Sequence, residues 1–290
     1  MKRGFGPQSQ SIVVRGVTYH VVAAGAGSPL LLLHGFTGST STWTTFLPAF
    51  AEHHRVIAVD LLGHGGSDIP QHPTRYGVEE TAKDLLALLD HLAPSQRFAV
   101  LSYSMGGRVA LHLALKARER VHAIVLEGAS PGIADAQERK ARVQSDSDLA
   151  AYIEQEGVEK FVDRWQSLPL FATQSALPES IRQQLRRQRL ANSPRGLANS
   201  LRGMGAGAMQ PLHHQLHKIA APVLLLVGEL DQNYRRLALE MESLLPQAQV
   251  AIVPGAGHAV HVEQPTQFET HVLAFLGATA APSSCIGGSS

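Results

Sequence analysis

The stretch from Phe98 to Lys116 constrains the fold more than any other. Phe98–Leu101 is a short continuous apolar run, the pattern of a strand buried on both faces. Met105–Lys116 has the apolar spacing of a helix. Only Ser102-Tyr103-Ser104 separates them, and Gly106-Gly107 follow at once. A strand that turns this sharply into a helix lifts Ser104 above the sheet. The turn also sets Ser104 at a helix N-terminus, where free N–H groups and the helix dipole favour developing negative charge. Glycine stands two residues after the serine, as such a turn requires. Two residues before it, where glycine is usual, the chain has Ser102, the next-smallest polar choice. The competing reading is a Ser/Gly turn without chemistry, so the case rests on finding partners for Ser104.

The rest of the first half repeats the alternation. Ser11–Arg15 and Tyr19–Ala23 read as a hairpin around Gly16. Leu30–Leu33, Val56–Val59 and Val121–Leu126 read as buried strands, and Trp43–Glu52 and Glu79–Leu92 as helices. Strand-then-helix order predicts a mostly parallel sheet with helices on both faces. From Pro131 to Lys218 only helix patterns and loops appear. Strands then resume at Val223–Val227 and Val250–Val253, with helices at Tyr234–Leu245 and Phe268–Leu276. The expectation is a core of residues 1–130 and 219–277 and a helical lid, 131–218, inserted after the sixth strand. Sheet-edge loops tolerate such insertions. Residues 278–290, rich in Ala, Ser and Gly, read as a disordered tail.

A serine hydroxyl needs a histidine to take its proton, and the histidine needs a carboxylate to fix its tautomer. On this scaffold the chain order is Ser, acid, His. Val223–Val227 runs into Gly228-Glu229-Leu230-Asp231, and Asp231 is preferred over Glu229, which falls closer to the strand end. The last strand runs into Pro254-Gly255-Ala256-Gly257-His258, a glycine loop presenting one histidine. A bare helix cap is the competing reading of Asp231. His34, His64 and His261 compete with His258, which is preferred because it follows the last strand in the required order. Leu33-His34-Gly35-Phe36-Thr37-Gly38 follows the third strand. The N–H groups of Phe36 and Met105 are the candidate oxyanion hole.

Composition narrows the partners. Lys+Arg number 25 and Asp+Glu 24, so a net charge of +1 gives no overall pull toward nucleic acid or membrane. No apolar run reaches the ~18 residues of a membrane span, and MKRGFGPQSQ lacks the apolar stretch of a signal peptide. The single cysteine, Cys285, allows no disulfide framework. These features point to a cytoplasmic protein with no cofactor or metal. His213, His214 and His217 read as a solvated cluster rather than a metal site. Charge is uneven locally: Arg182, Arg186, Arg187, Arg189, Arg195 and Arg202 fall between Ser180 and Arg202 with no acidic residue. Arg182, Arg186 and Arg189 share a helix face, where like charges repel unless an anion is held. Guanidinium groups bind carboxylates bidentately, so the group favours an acidic small molecule. Arg108 and Arg142 are candidates to join it. A solvated basic face is the competing reading.

Several segments together resemble one family. They are LHGFTGSTSTW (33–43), DLLGHGGSD (60–68), YSMGGR (103–108), QSD (144–146), WQSLPLF (165–171), Arg189–Asn192 with Gly196-Leu197, and GELDQNY (228–234). They are similar to the 2-succinyl-6-hydroxy-2,4-cyclohexadiene-1-carboxylate synthases of menaquinone biosynthesis, which have the α/β-hydrolase fold. The likeness runs from about Ser11 to Leu276. The elbow and the HG loop are common to the whole superfamily; the insertion segments and Arg108 are more specific. The resemblance implies a lyase whose serine acts as a base and whose polycarboxylated cyclohexene substrate loses pyruvate. It implies Ser104, Asp231 and His258 as the triad, and Tyr103, Arg108, Arg142, Trp165 and Arg189 as pocket residues. The chain departs at Ser102 and at Gln232-Asn233-Tyr234. A carboxylesterase or C–C hydrolase on the same triad is the alternative, and a receptor that only binds is a third reading, since fold alone does not decide function.

Overall fold

The central strands are apolar over most of their length, because parallel strands covered on both faces have no wet side. The computed structural model describes residues 6–279. It contains strands β1 (Gln8–Val14), β2 (Val17–Ala24), β3 (Pro29–Leu33), β4 (Arg55–Val59), β5 (Phe98–Tyr103), β6 (Val121–Glu127), β7 (Val223–Gly228) and β8 (Ala248–Val253). They form one sheet in the order β1-β2-β4-β3-β5-β6-β7-β8. The β1–β2 and β2–β4 pairs are antiparallel and the rest parallel. Alternate residues feed two cores. Leu31, Leu33 and Val100 point to one face, and Leu30, Leu32 and Leu101 to the other. Each such fully buried leucine contributes about 1.5–3 kcal/mol.

The helices are α1 (Leu47–Ala51), α2 (Val78–Leu92), α3 (Met105–Lys116), α4 (Ala136–Gln166), α5 (Glu179–Leu190), α6 (Pro194–Met204), α7 (Gln232–Leu244), α8 (Val260–Glu263) and α9 (Pro265–Thr279). The single helix expected over Trp43–Glu52 is instead a 3-10 turn, Thr40–Trp43, followed by α1. Pro48 lies in the first turn of α1, where its missing N–H costs nothing. Helix α9 runs to Thr279, so residues 278 and 279 of the expected tail are helical; residues 280–290 lie outside the described part. No helix among the described residues is long and apolar enough to cross a membrane.

Between β6 and β7 the described chain holds only α4–α6, 3-10 turns and loops. This insertion has its own core, with Ile153, Phe161, Leu197 and Leu201 buried together. Helix α4 bends at Gly157, whose φ of 81° is not helical. Helix α6 meets the loop after β4 backbone to backbone. A methyl on Gly196 would stand 2.2 Å from the Gly63 carbonyl oxygen, and one on Gly63 would stand 2.7 Å from that of Gly196. Only two glycines permit so close a contact.

Candidate active site

The parallel strands end on one edge of the sheet, and the loops beyond them carry the candidate residues. At the end of β5 the backbone turns with Ser104 at φ 47° and ψ −104°, a conformation that costs about 1–3 kcal/mol in a residue with a side chain. The packing that enforces it is tight. A methyl on Gly106 would sit 2.6 Å from the Leu33 carbonyl oxygen, so α3 starts directly against β3. Ser102 is fully buried, and its hydroxyl donates to the Val125 carbonyl of β6 at 3.1 Å. The unusual serine is thus accommodated and hydrogen-bonded.

Three side chains meet above the edge. His258 Nδ1 lies 2.8 Å from Asp231 Oδ2, and His258 Nε2 lies 3.0 Å from Ser104 Oγ. A carboxylate only accepts, so Nδ1 carries the proton and Nε2 accepts from the serine hydroxyl. Asp231 and His258 are both buried. Asp231 also caps α7, its Oδ1 accepting from the Tyr234 N–H at 3.2 Å. Each carboxylate oxygen thus has its own partner, Oδ2 the imidazole and Oδ1 the first turn of α7. The N–H groups of Phe36 and Met105 find no acceptor among the described residues, and both residues line the cleft that holds Ser104. Their loop is braced by His34, which donates from Nδ1 to the Gly35 carbonyl and accepts at Nε2 from Leu61 N–H.

The cleft over Ser104 measures about 550 Å³ and includes Tyr103, Arg108, Arg142, Trp165, Tyr234 and His258 in its wall. Arg189 stands in an adjoining cleft of about 420 Å³ that shares Phe36, Tyr103 and Phe171 with the first. Arg108 is buried and donates from Nε and Nη2 to the Met204 carbonyl at 3.1 and 2.8 Å. Arg189 is buried, donates to Gln174 Oε1 at 3.0 Å and lies 5.1 Å from the Phe171 ring centre. Neither forms an ion pair among the described residues. Burial lowers the proton affinity of both guanidinium groups. Burial, and then the Glu127 charge, pushes the Tyr103 phenol well above its ordinary value, so Tyr103 keeps its proton. Trp165 Nε1 is a buried donor without an acceptor among the described residues.

The expected cationic face of the insertion is smaller than the sequence suggests. Arg182 pairs with Glu179, Arg186 with Asp163 and Glu159, and Arg202 with Glu154. Arg187 and Arg195 are exposed. The acidic partners come from neighbouring turns and from α4, beyond the window in which no acid occurs. Arg142 pairs with buried Asp146 at 2.8 Å. Of the arginines singled out, only Arg108 and Arg189 are both buried and without a carboxylate. His213 pairs with Glu240, and no group of three metal-ligating side chains occurs among the described residues.

One pair escaped sequence reasoning. Glu127, at the end of β6, is fully buried and binds His261. His261 entered only as a competitor of His258. The signal was an acidic residue closing an otherwise apolar strand, VHAIVLE, where a carboxylate needs a dedicated partner.

Residues 28–265 match the family model described as the α/β hydrolase fold. A Bacillus subtilis (strain 168) protein, provisionally named 2-succinyl-6-hydroxy-2,4-cyclohexadiene-1-carboxylate synthase, is 42% identical over 90% of this chain and 95% of its own length. The synthase of that name from Photorhabdus laumondii is 31% identical, covering 85% of this chain and 84% of the relative. Among solved structures, MenH from S. aureus superposes with a TM-score of 0.86 at 33% identity, over 90% of this chain and 98% of that one. A malate-bound thermophilic esterase from Thermogutta terrifontis gives 0.81 at 26% identity, over 94% and 100%. On sheet order, elbow and these matches alike, the chain belongs to the α/β-hydrolase fold family and, within it, to the family of the 2-succinyl-6-hydroxy-2,4-cyclohexadiene-1-carboxylate synthases.

Proposed function

We propose that the chain is a lyase that eliminates pyruvate from a polycarboxylated cyclohexene and leaves the 2-succinyl-6-hydroxy-2,4-cyclohexadiene-1-carboxylate ring. The observation that carries this is the pair of buried arginines with no carboxylate of their own, Arg108 in the cleft over Ser104 and Arg189 in the cleft adjoining it. A buried cation without a counter-charge is costly. Here the substrate supplies the anions, with Arg108, Arg189, Tyr103 and Trp165 as donors and Arg142 at the cleft wall. Residues 131–218 act as the lid that brings Arg142, Trp165 and Arg189 over the core of 1–130 and 219–277. No cofactor enters the reaction, and the cytoplasm is its setting.

The product's name indicates the chemistry. A 2,4-diene forms when one end of the future diene loses a proton and the other loses its oxygen substituent. The ring carbon bearing the succinyl group has the acidic proton, because its ketone takes up the charge. His258 draws the proton from Ser104, and Ser104 Oγ takes the ring proton. Charge moves onto the ketone oxygen, where the N–H groups of Phe36 and Met105 receive it. The double bonds shift, the ring carbon–oxygen bond breaks, and pyruvate leaves as its enolate, which takes up one proton to balance the one that the His258–Ser104 pair has gained from the ring and later gives up to solvent. Asp231 stabilises the imidazolium that forms.

A coupled assay for released pyruvate tests this. Ser104→Ala is expected to lower kcat at least 1,000-fold, of the order seen when a triad member is removed. The alternative is a carboxylesterase on the same triad, favoured by the likeness to the malate-bound esterase. Fast turnover of p-nitrophenyl esters, indifferent to Arg108→Ala and Arg189→Ala, would decide for it.

A further inference from the structure

Two histidines stand three residues apart beyond β8, and each is held by a carboxylate from a different strand end. Asp231, after β7, holds His258. Glu127, the last residue of β6, holds His261, which lies on α8. His261 Nδ1 donates to both Glu127 oxygens at 2.9 Å, and the His261 backbone N–H donates to Oε1 at 3.0 Å. Glu127 has a second connection. Its backbone carbonyl accepts the N–H of Ser104 at 2.8 Å. One residue therefore touches the segment that carries Ser104 and the segment that carries His258.

The His258 ring packs beside Tyr103 of β5, with centres 5.3 Å apart, but the other hydrogen bonds of its loop run to the loop itself and to the turn after β7. Glu263 accepts from the N–H groups of Gly257 and Ala259, on either side of His258, at 2.7 and 3.3 Å. The Leu230 N–H donates to the Ala256 carbonyl. These contacts shape the loop but do not reference it to β5 and β6, where Ser104 is set. The His261 ring also meets the Tyr103 ring edge-on, with centres 4.7 Å apart, and Tyr103 precedes Ser104.

We infer that Glu127 and His261 form a positioning pair that fixes the distance between Ser104 and His258. Neither takes part in the proton transfer itself. The carboxylate holds the His258 loop to β6, while the same residue's carbonyl holds Ser104. This rests on the roles given to Ser104 and His258 above. Proton transfer between them needs the observed 3.0 Å, and a displacement of about 1 Å at such a site costs on the order of 100-fold.

Four measurements on the full chain test the pair: kcat and KM for pyruvate release, melting temperature, and the rate at which a fluorophosphonate labels Ser104. Glu127→Ala is expected to lower kcat about 10- to 100-fold with KM within about twofold, and to slow labelling in parallel. Glu127→Gln keeps an oxygen for both His261 donors and is expected to stay within about threefold of the parent. Glu127→Leu combined with His261→Phe fills the same space and keeps the ring against Tyr103. A buried polar pair replaced on both sides by apolar groups of similar shape generally leaves a stable fold, so this double variant is expected to fold yet show the same kcat loss. Full kcat and labelling in the folded double variant would overturn the inference. So would a rise in KM alone, or Glu127→Gln as impaired as Glu127→Ala. If the parent releases no pyruvate, the proposed reaction fails, and the labelling rates still decide the role of the pair.

Discussion

Ser104 holds a backbone conformation that its side chain resists, at φ 47°, and everything around it is arranged to keep it there. Motif, strand and helix made this residue legible in the sequence, and chain order made Asp231 and His258 legible after it. Ser102 was legible as an oddity but not in its meaning, because its hydroxyl bonds to Val125 on another strand. Ser102→Gly loses that bond and adds backbone freedom, so about 0.5–1 kcal/mol of stability should go, with kcat within about threefold; urea melts and steady-state assays check both. The arginines divide the same way. Their number was visible, but which of them are unpaired depends on acids far along the chain, such as Glu154 for Arg202. Arg189→Met should cut kcat/KM by about 10- to 150-fold, the loss of one charge-assisted contact of ~1.5–3 kcal/mol. The same change should leave the ligand-free melting temperature equal or higher, since it removes a buried lone cation.

Among the elements, strands were read best and short helices worst. A strand buried on both faces leaves an unbroken apolar run such as Leu30–Leu33, and the helical runs of similar length, such as Leu85–Leu89, sit inside longer stretches with helical spacing. Trp43–Glu52 misled because Trp43, Phe46, Leu47 and Phe50 are all buried, whereas the break depends on local turn geometry before Pro48. The seating of α6 was invisible for another reason. It rests on two glycines, Gly63 and Gly196, 133 residues apart by number, whose backbones touch. Gly196→Ala should push α6 outward and destabilise by about 1–3 kcal/mol, the usual cost of overpacking. Pyruvate release should suffer more than ester hydrolysis by the same protein, because only the former relies on the insertion's arginine. Parallel assays on the two substrates provide the check.

For the whole molecule, acid is the condition most revealing of how it is built. His64 is fully buried next to His34, with ring centres 5.0 Å apart. Burial, followed by the His34 charge, pushes its pKa down to about 3. Unfolded, it titrates near 6.5. Between those values the unfolded chain binds the extra proton, so stability is whole above pH 6.5 and declines as pH falls toward 3. One such group gives a slope of about 1.4 kcal/mol per pH unit. His64→Phe should flatten the slope in denaturant melts taken across that window. The paired and lone arginines bear on a different question, that of the protein's lifetime. With Arg108 and Arg189 buried in adjoining clefts and neither paired with a carboxylate, the molecule carries an electrostatic cost that an arriving anion relieves. A ligand at 100 times its dissociation constant would deepen the folded well by about 2.7 kcal/mol. Polycarboxylates resembling the substrate should therefore raise the melting temperature and slow proteolysis, and Arg189→Met should blunt both effects. Supply would then govern abundance: the enzyme would survive longest where its substrate is being made.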